Sequence, residues 1–317
     1  MLTLIMRKRR KIILLVTVIL AILIVAGWYL HRTNVPLLEP RGPVAEKERN
    51  LILFAAGLSL FVVIPVFSMA IFIAWKYRES NEKAIYQPEY DHSRIAETLW
   101  WVIPGVLITI LSVVAWNSSH TLDPYRPLAS KVKPLNVQVV ALDWKWLFIY
   151  PQQGIASVNR LEIPVNTPIN FEITSDAPMN SFWIPQLGGQ IYAMPGMSTQ
   201  LHLAASKMGS YNGYSANISG VGFAGMHFKT DAVSNAQFDD WVYQNAWAPS
   251  HLTLAAYTRL SKPSLNNPVS YYSVVNRNLY DTIVEKYMAP ASSTKNSGSA
   301  TNNNTSESTD SMSGMSM

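Results

Sequence analysis

The first 120 residues alternate between long uncharged stretches and short polar ones. Three stretches carry no charged side chain: residues 12–30, 51–75 and 98–116. A helix needs roughly 20 apolar residues to cross a hydrocarbon layer of about 30 Å. Each of the three stretches therefore predicts a helix that can span a membrane.

The first stretch follows a basic run of five residues at positions 7–11. Two hypotheses fit residues 1–31, a cleaved signal peptide or an uncleaved signal anchor. The apolar run is longer than the roughly 7 to 15 residues usual in a signal peptide, and no small-x-small cleavage site follows it. The pattern favours the anchor.

The same basic run predicts the orientation, because positive charges beside a span stay in the cytoplasm. The spans 51–75 and 98–116 would then form a transmembrane hairpin within residues 32–119, joined on the cytoplasmic side. Everything after residue 116 would lie outside the cytoplasm.

Beyond the spans, the pattern changes to short alternating runs separated by proline and glycine, at 136–150, 159–163, 169–174, 199–204 and 223–230. Short strands with frequent turns indicate a β-sandwich or small barrel, here over residues 120–232. Helical spacing returns at 238–247, 252–260 and 278–287, which predicts a C-terminal helical arm over residues 233–290, packed outside the sandwich.

The last 27 residues, 291–317, contain nine Ser, four Thr and four Asn, with no aromatic or branched aliphatic side chain. Such a segment cannot bury enough apolar surface to offset its chain entropy, so we predict a disordered tail.

Composition agrees with a membrane protein. Charged residues make up 14% of the chain and hydrophobic ones 49%, against roughly 25% charged residues in soluble domains. The net charge of +5 owes much to the N-terminal basic run, so it indicates membrane topology rather than a nucleic-acid partner. Cysteine is absent, which excludes disulfides, zinc-thiolate and iron-sulfur sites, thiol nucleophiles and lipidated cysteines.

Catalytic and metal motifs are also missing from the sequence. No two of the six histidines lie within four residues of each other, so no common metal-ligand spacing occurs. We find no nucleophile elbow, P-loop or dinucleotide fingerprint. His202 and His227 are predicted to lie on the surface. The residues alone therefore indicate a binding or structural module.

Two segments carry a family resemblance over residues 40–288. Residues 92–97 read His-Ser-Arg-Ile-Ala-Glu and are followed by Trp100 and Pro104, and residues 143–146 read Asp-Trp-Lys-Trp. In this combination the chain resembles subunit II of the haem-copper respiratory oxidases. The resemblance implies a membrane-anchored all-β protein, a helical hairpin followed by a cupredoxin-like β-sandwich with small C-terminal helices.

In cytochrome c oxidases of this family, the cupredoxin domain holds two coppers. The ligands are an early histidine and a loop reading Cys-Ser-Glu-Ile-Cys-Gly-x-x-His-x-x-Met. The corresponding loop, residues 215–226, here reads Ser-Ala-Asn-Ile-Ser-Gly-Val-Gly-Phe-Ala-Gly-Met. The degenerate copper-site positions are Asn180 (for the early histidine), Ser215, Asn217, Ser219, Phe223 and Met226.

Serine hydroxyls lack the acidity and soft sulfur of cysteine thiolates, so no dinuclear copper site is expected. Met226 would remain as a core thioether, and we expect the Phe223 ring to fill the space of the lost metals. Trp144 and Trp146, beside electron entry in copper-bearing relatives, are interpreted as packing residues. This departure makes the chain similar to subunit II of cytochrome bo-type ubiquinol oxidases, in which the fold persists without copper.

The resemblance implies a subunit of a proton-pumping ubiquinol oxidase of the aerobic respiratory chain, catalytic only as part of that complex. Haems and one copper belong to subunit I, ubiquinol is the substrate of the complex, and this chain binds no metal or cofactor. The implied partners are subunit I, the other oxidase subunits and membrane lipid, with no nucleic acid. The implied location is the bacterial inner membrane, multi-pass, with the C-terminal domain in the periplasm.

Glu97 is the one candidate proton carrier. The resemblance places it at the cytoplasmic mouth of a proton path that continues into subunit I. Alternatively, it marks a helix start, where the helix dipole favours an anion by about 0.3 to 1 kcal/mol. The spacing of Glu97, Trp100 and Pro104 favours the proton role.

Two other functions stay open at this stage. One is a cytochrome c oxidase subunit II with an altered copper site. The other is a membrane-anchored β-sandwich that acts as an interaction protein outside any oxidase.

Overall fold

A computed structural model describes residues 35–82, 84, 92–273 and 275–288, with the isolated positions 21, 25, 27 and 28. Apart from those four positions, the predicted anchor of residues 1–31 lies outside the described residues. The predicted disordered tail of residues 291–317 lies wholly outside them.

Two long helices precede the sandwich, α1 (Pro43–Lys76) and α2 (Arg94–Thr121). Both are long and apolar enough to cross a membrane. Pro43 begins α1, where its missing N–H costs no hydrogen bond, and the Ser93 side chain caps α2 by accepting from the Ala96 N–H. The helices include the two predicted spans and continue beyond both ends of each.

The start of α1 is fastened to the sandwich by backbone hydrogen bonds. The Arg41 N–H donates to the Gln186 carbonyl, and the Ser206 N–H donates to the Arg41 carbonyl, each at 2.7 Å. A Cβ atom at Gly42 would lie 2.3 Å from the Ala204 carbonyl oxygen, so only glycine allows this approach. These contacts fix the N-terminal end of α1 to the sandwich.

The domain that follows α2 is a sandwich of two sheets. Its strands are β1 (Leu135–Leu142), β2 (Lys145–Tyr150), β3 (Ile155–Val158), β4 (Arg160–Pro164), β5 (Ile169–Ser175), β6 (Asn180–Trp183), β7 (Ile191–Ala193), β8 (Thr199–Leu203), β9 (Gly209–Ser215), β10 (His227–Val233) and β11 (Ser270–Ser273). One sheet has the order β11-β3-β2-β1-β5-β8 and the other β4-β10-β9-β6-β7. The predicted sandwich after two apolar helices is confirmed.

The strand predictions were right for β4, β5 and β8 and incomplete elsewhere. The run 136–150 is two antiparallel strands, because the chain turns at Asp143–Trp144 and pairs Leu142 with Lys145. The run 223–230 begins with a short 3-10 helix, Phe223–Gly225, before β10. Five strands were not predicted (β3, β6, β7, β9 and β11). Four of them have only three or four residues, and β9 shows no apolar alternation in its sequence.

The core between the sheets is aromatic. Trp146 and Phe148 from one sheet meet Phe182 and Phe228 from the other, and all four are fully buried or nearly so. The rings of Phe182 and Phe228 stack with centroids 5.2 Å apart and planes 6° apart. Gly213 makes room for this stack, because a Cβ there would lie 2.1 Å from the Phe228 ring.

Three helices pack outside the sandwich, as predicted: α3 (Asn235–Ala246), α4 (Leu254–Leu260) and α5 (Leu279–Met288). Ser234 and Gln237 form a capping box that starts α3. A second apolar cluster joins the outer face of β1 and β2 to the last two helices, with Leu252, Tyr257, Leu279 and Ile283 buried in it.

A carboxylate pair lies on the edge strand β4 and its neighbour β10, where Glu162 is paired in register with Asp231. Arg160 lies 2.9 Å from Asp231 but 3.8 Å from Glu162 Oε2, which has no hydrogen-bond partner among the described residues. Burial raises the pKa of Glu162 to about 7, Arg160 opposes the shift, and Asp231 adds to it.

This raised pKa predicts a stability that depends on pH. The native state binds the proton more tightly than the unfolded chain, so stability falls as the pH rises from about 4.5 through 7. Replacing Glu162→Gln should remove this slope and stabilise a soluble fragment of residues 120–288 by about 1–3 kcal/mol at pH 8. Urea unfolding at pH 5 and pH 8 measures the effect.

The matched control is Glu285→Gln, which neutralises an exposed carboxylate on α5 and should leave the slope unchanged. If the Glu162→Gln fragment keeps the wild-type pH dependence, Glu162 does not titrate in this range.

Candidate functional site

Two of the positions that correspond to copper ligands, Asn180 and Ser215, meet at one end of the five-stranded sheet. Asn180 begins β6 and Ser215 ends β9, and these strands are antiparallel neighbours. Both residues are buried, with 1% and 7% of their surface exposed. The Ser215 hydroxyl donates to the Asn180 Oδ1 at 2.7 Å. The structure therefore brings together two positions that are 35 residues apart.

The amide groups of this cluster are bonded to the backbone beside them. The Asn180 Nδ2 donates to the Pro178 carbonyl, and the Asn217 Nδ2 donates to the Met179 carbonyl, each at 2.8 Å. The Asn217 bond connects the loop after β9 to the segment before β6. Hydroxyl and amide groups thus hold the loop in a closed, neutral arrangement.

Trp144 covers the far side of the loop. Its indole N–H donates to the Ser219 carbonyl at 3.2 Å, and a Cβ at Gly222 would lie 2.3 Å from its ring. The Ser219 hydroxyl oxygen is buried and has no hydrogen-bond partner among the described residues. Trp146 is fully buried in the aromatic core, so the structure gives both tryptophans a packing role.

Phe223 is half-buried on the short 3-10 helix and lies outside the apolar core. The filling of the lost metal space by its ring stays a prediction. Met226 is 2% exposed and belongs to the core, and its carbonyl accepts from the Ser215 N–H. The expectation for Met226 is confirmed.

These groups do not fit a copper centre. The six positions supply two hydroxyls, two amides, a phenyl ring and one thioether, whereas copper in such a site prefers thiolate and imidazole ligands. Within the described ranges, no group of three or more His, Cys, Asp or Glu side chains could hold a metal ion.

His202 and His227, both predicted to lie on the surface, differ in their exposure to solvent. His227 is exposed, as predicted. The prediction for His202 is wrong, because only 8% of its surface is exposed. Its side chain leaves the sandwich core but is covered by the start of α1 and the segment after α2, which line a cavity of about 140 Å³ beside it. Its Nδ1 lies 2.8 Å from the Asn170 Oδ1, and burial lowers its pKa.

Glu97 lies in the first turn of α2 with its side chain exposed. Its backbone N–H donates to the Ser93 carbonyl at 2.9 Å. It is far along the chain from Asn180 and Ser215, because it lies at the start of α2 and the sandwich follows the end of that helix. The side chain is open to a partner at that end of α2.

The sequence analysis missed a cluster centred on Asp176. The Asp176 side chain is 1% exposed and accepts from Lys286 Nζ, the Tyr287 hydroxyl and the Tyr257 hydroxyl, each at 2.6 Å. Burial alone would raise the pKa of Asp176, but these three hydrogen bonds hold it below its usual value. The donors lie 81 to 111 residues away, so no local pattern reveals them.

Two protein-family descriptions match parts of this chain. The family description "Cytochrome C oxidase subunit II, periplasmic domain" matches residues 136–233, and "COX Aromatic Rich Motif" matches residues 248–291. The crystal structure of the periplasmic domain of subunit II of cytochrome oxidase from Bradyrhizobium japonicum is 25% identical, with a TM-score of 0.35, covering 37% of this chain and 96% of that one.

Full-length relatives match over most of their length. A cytochrome bo(3) ubiquinol oxidase subunit 2 from Pseudomonas putida is 54% identical over 254 residues, which are 80% of this chain and 81% of the relative. A ubiquinol oxidase subunit 2 from Acetobacter aceti is 51% identical over 253 residues, 79% of this chain and 82% of the relative.

Proposed function

Because this chain belongs to the ubiquinol oxidase subunit 2 family, we propose that it is the non-redox partner subunit of a proton-pumping ubiquinol oxidase in an aerobic respiratory chain. The resemblance stated from the sequence is confirmed at the level of the family. The cupredoxin-like domain and the two apolar helices follow the same pattern.

One observation carries the non-redox role. Where copper-bearing relatives hold two metals, the Ser215 hydroxyl and the Asn180 amide bond directly to each other at 2.7 Å. No group at this position can accept and release an electron. Electrons from ubiquinol would therefore enter subunit I within the membrane, without passing through this domain.

The finer parts of the proposal follow the family resemblance. Subunit I would hold the haems and a single copper, with ubiquinol as the substrate of the complex. The chain would sit in the bacterial inner membrane as a multi-pass protein, with residues 120–232 and the arm 233–290 in the periplasm. The hairpin of residues 32–119 would contact subunit I, and membrane lipid would surround its other faces.

Purification of the native complex through this chain tests the function. We expect haem, one copper per complex, and oxygen consumption with ubiquinol but not with reduced cytochrome c. Three coppers with cytochrome c turnover would identify a cytochrome c oxidase subunit instead. A chain that purifies without any haem-containing partner would contradict the oxidase role altogether.

Glu97 gives a separate prediction on proton uptake. If Glu97 feeds a proton path into subunit I, Glu97→Ala should slow turnover while haem content and assembly stay normal. Removal of a proton-relay group typically costs about 10² to 10⁴-fold. We expect about 10²-fold or less, because water can partly replace a carboxylate at a pore mouth. Glu97→Asp should be milder, since it keeps the carboxylate.

The matched control is Glu79→Ala, which removes another exposed carboxylate from the connection between α1 and α2. Oxygen consumption by assembled complexes measures both variants. Equal rates for Glu97→Ala and Glu79→Ala would show that Glu97 only marks the start of the helix.

A further inference from the structure

A polar cleft of about 550 Å³ lies beside the C-terminal arm. Its walls come from α4, the loop 261–269 and β11. Three basic residues line it, His251, Arg259 and Lys262, and none of its lining residues is acidic. In the described part of the chain, no carboxylate lies within ion-pair distance of Arg259 or Lys262. The cleft is therefore electropositive.

A buried lysine lies behind the loop that forms the cleft. Lys145 is 1% exposed, and its Nζ donates to the Lys262 carbonyl at 2.8 Å, the Ser264 Oγ at 2.6 Å and the Asp143 carbonyl at 3.0 Å. All three acceptors are neutral, and no carboxylate lies within ion-pair distance of Lys145 among the described residues. The charge of this ammonium group is thus not cancelled by a direct partner.

The hydrogen bonds from Lys145 orient the polar groups of the cleft. Since Ser264 Oγ accepts from the ammonium group, its own hydrogen is donated to the Asn267 Oδ1 at 3.0 Å. This arrangement leaves the Asn267 amide to act as a donor, with only a long contact of 3.4 Å to the Pro268 carbonyl. This series of hydrogen bonds begins at the Lys145 ammonium group and ends at the Asn267 amide, which is a donor at the cleft. The arrangement favours an anion there.

The shifted pKa of Lys145 also favours an anion in the cleft. Burial lowers the pKa of Lys145, and the nearby Asp143 carboxylate opposes the shift. A buried cation without a paired anion is unfavourable. An anion bound beyond Ser264 and Asn267 would offset that cost.

We propose that this cleft is a binding site for a phosphate group, carried either by a lipid headgroup or by a free phosphorylated solute. Arg259 and Lys262 would pair with the charged oxygens, because both side chains suit phosphate. Ser264 and Asn267 would complete the polar floor. The site is independent of the proposed oxidase role, because it shares no residue with the copper-site positions or with Glu97.

The size and walls of the cleft fit a phosphorylated molecule rather than a bare ion. Small-molecule sites occupy about 300–1,000 Å³, and this cleft lies within that range. Leu260, Pro263 and Pro268 provide apolar wall beside the basic groups, where the uncharged part of the ligand would lie.

Binding to the full-length chain, purified in detergent with its accompanying subunits, tests the proposal. The first probe is inorganic phosphate, whose binding is measured by titration calorimetry. The second probe is nanodiscs of phosphatidylcholine with or without phosphatidylglycerol, and the protein that floats with the nanodiscs is measured. The main variant is Arg259→Gln with Lys262→Gln. The control variant, Lys131→Gln with Lys207→Gln, removes two exposed lysines elsewhere on the domain.

We expect the cleft variant to lose at least about tenfold in affinity for one probe, since charge-assisted hydrogen bonds of this kind contribute 1.5–3 kcal/mol (roughly tenfold or more). The control should bind like the wild type. Loss confined to phosphate identifies a free solute, and loss confined to phosphatidylglycerol discs identifies a lipid headgroup. Both results support the site.

Three results would overturn the proposal. They are no binding of either probe to the wild type, equal losses in the cleft and control variants, or crosslinking of Lys262 to a carboxylate of another subunit, which would make the cleft a protein contact. Lys145→Met adds an independent check on the buried lysine. If it folds, as judged by circular dichroism, and binds either probe like the wild type, the buried cation does not serve the site.

Discussion

A rebuilt fragment of residues 120–288 is expected to bind two copper ions, whereas the wild-type fragment binds none. The substitutions restore the family's ligand pattern: Asn180→His, Ser215→Cys, Asn217→Glu, Ser219→Cys and Phe223→His. Met226 is already in place. Two thiolates would bridge the metals, and two imidazoles and the thioether would complete the shell.

The geometry at Ser215 and Asn180 supports this expectation. Ser215 and Asn180 lie side by side and in direct hydrogen-bond contact, so a cysteine and a histidine there would begin next to each other. Phe223 is half-buried on a short 3-10 helix. An imidazole at this position would leave no large cavity in the core.

The metal-free rebuilt fragment should be less stable than the wild type by about 1–3 kcal/mol, because the Ser215–Asn180 hydrogen bond is lost in a buried place. Copper should restore the loss, since it binds only the folded state. Copper analysis and the visible spectrum of both fragments measure the outcome.

The control fragment changes positions 180, 217 and 223 but keeps Ser215 and Ser219. Without thiolates it should bind no stoichiometric copper. A folded, fully rebuilt fragment without copper would show that Asn180 or the loop 215–226 is wrongly aligned. Two tight coppers in the wild-type fragment would overturn the non-redox role.

Removing the Asp176 carboxylate should loosen the C-terminal arm. Asp176→Ala deletes three hydrogen bonds at once and leaves the buried Tyr257 hydroxyl without its acceptor. We expect a loss of about 2–4 kcal/mol in the free energy of unfolding, and a melting temperature lower by about 10 °C for a fragment of this size. Because the pKa of Asp176 is depressed in the folded state, its contribution is fully present at pH 7 and is lost only as the pH falls through that lowered pKa.

Thermal unfolding of the fragment 120–288, together with limited proteolysis of residues 254–288, measures this effect. Asp281→Ala is the matched control, because it removes an exposed carboxylate from α5, the helix that carries Lys286 and Tyr287. If both variants melt within 2 °C of the wild type, a margin smaller than the roughly 2–4 °C expected for each kcal/mol, the cluster does not hold the arm in place.

The sequence could predict features that rest on local pattern. The spans 51–75 and 98–116 lie within α1 and α2, because an uncharged stretch of that length has few other stable environments. The arm helices follow their 3.6-residue period closely. The loop 215–226 was assigned through the family resemblance, and the loss of every thiolate from it excludes the copper chemistry whatever the geometry.

Other features depend on partners distant in the chain. Strands such as β9, with two glycines and a hydroxyl-rich sequence, show no apolar alternation and form because β6 and β10 pair with them. The burial of His202 comes from α1 and the segment after α2, which lie against β8 only in the folded protein. A surface prediction from alternation cannot include that cover.

The sequence by itself determined the two long apolar helices, the sandwich class and the loss of thiolates from the copper-ligand positions, because each follows from residue types and their local period. The tertiary structure decided the rest. It closed Asn180 against Ser215, placed Phe223 outside the core, gathered the donors around Asp176, and set Lys145 behind a basic cleft. Each of these depends on which distant segments meet, and the packing of two sheets determines this where no local pattern can.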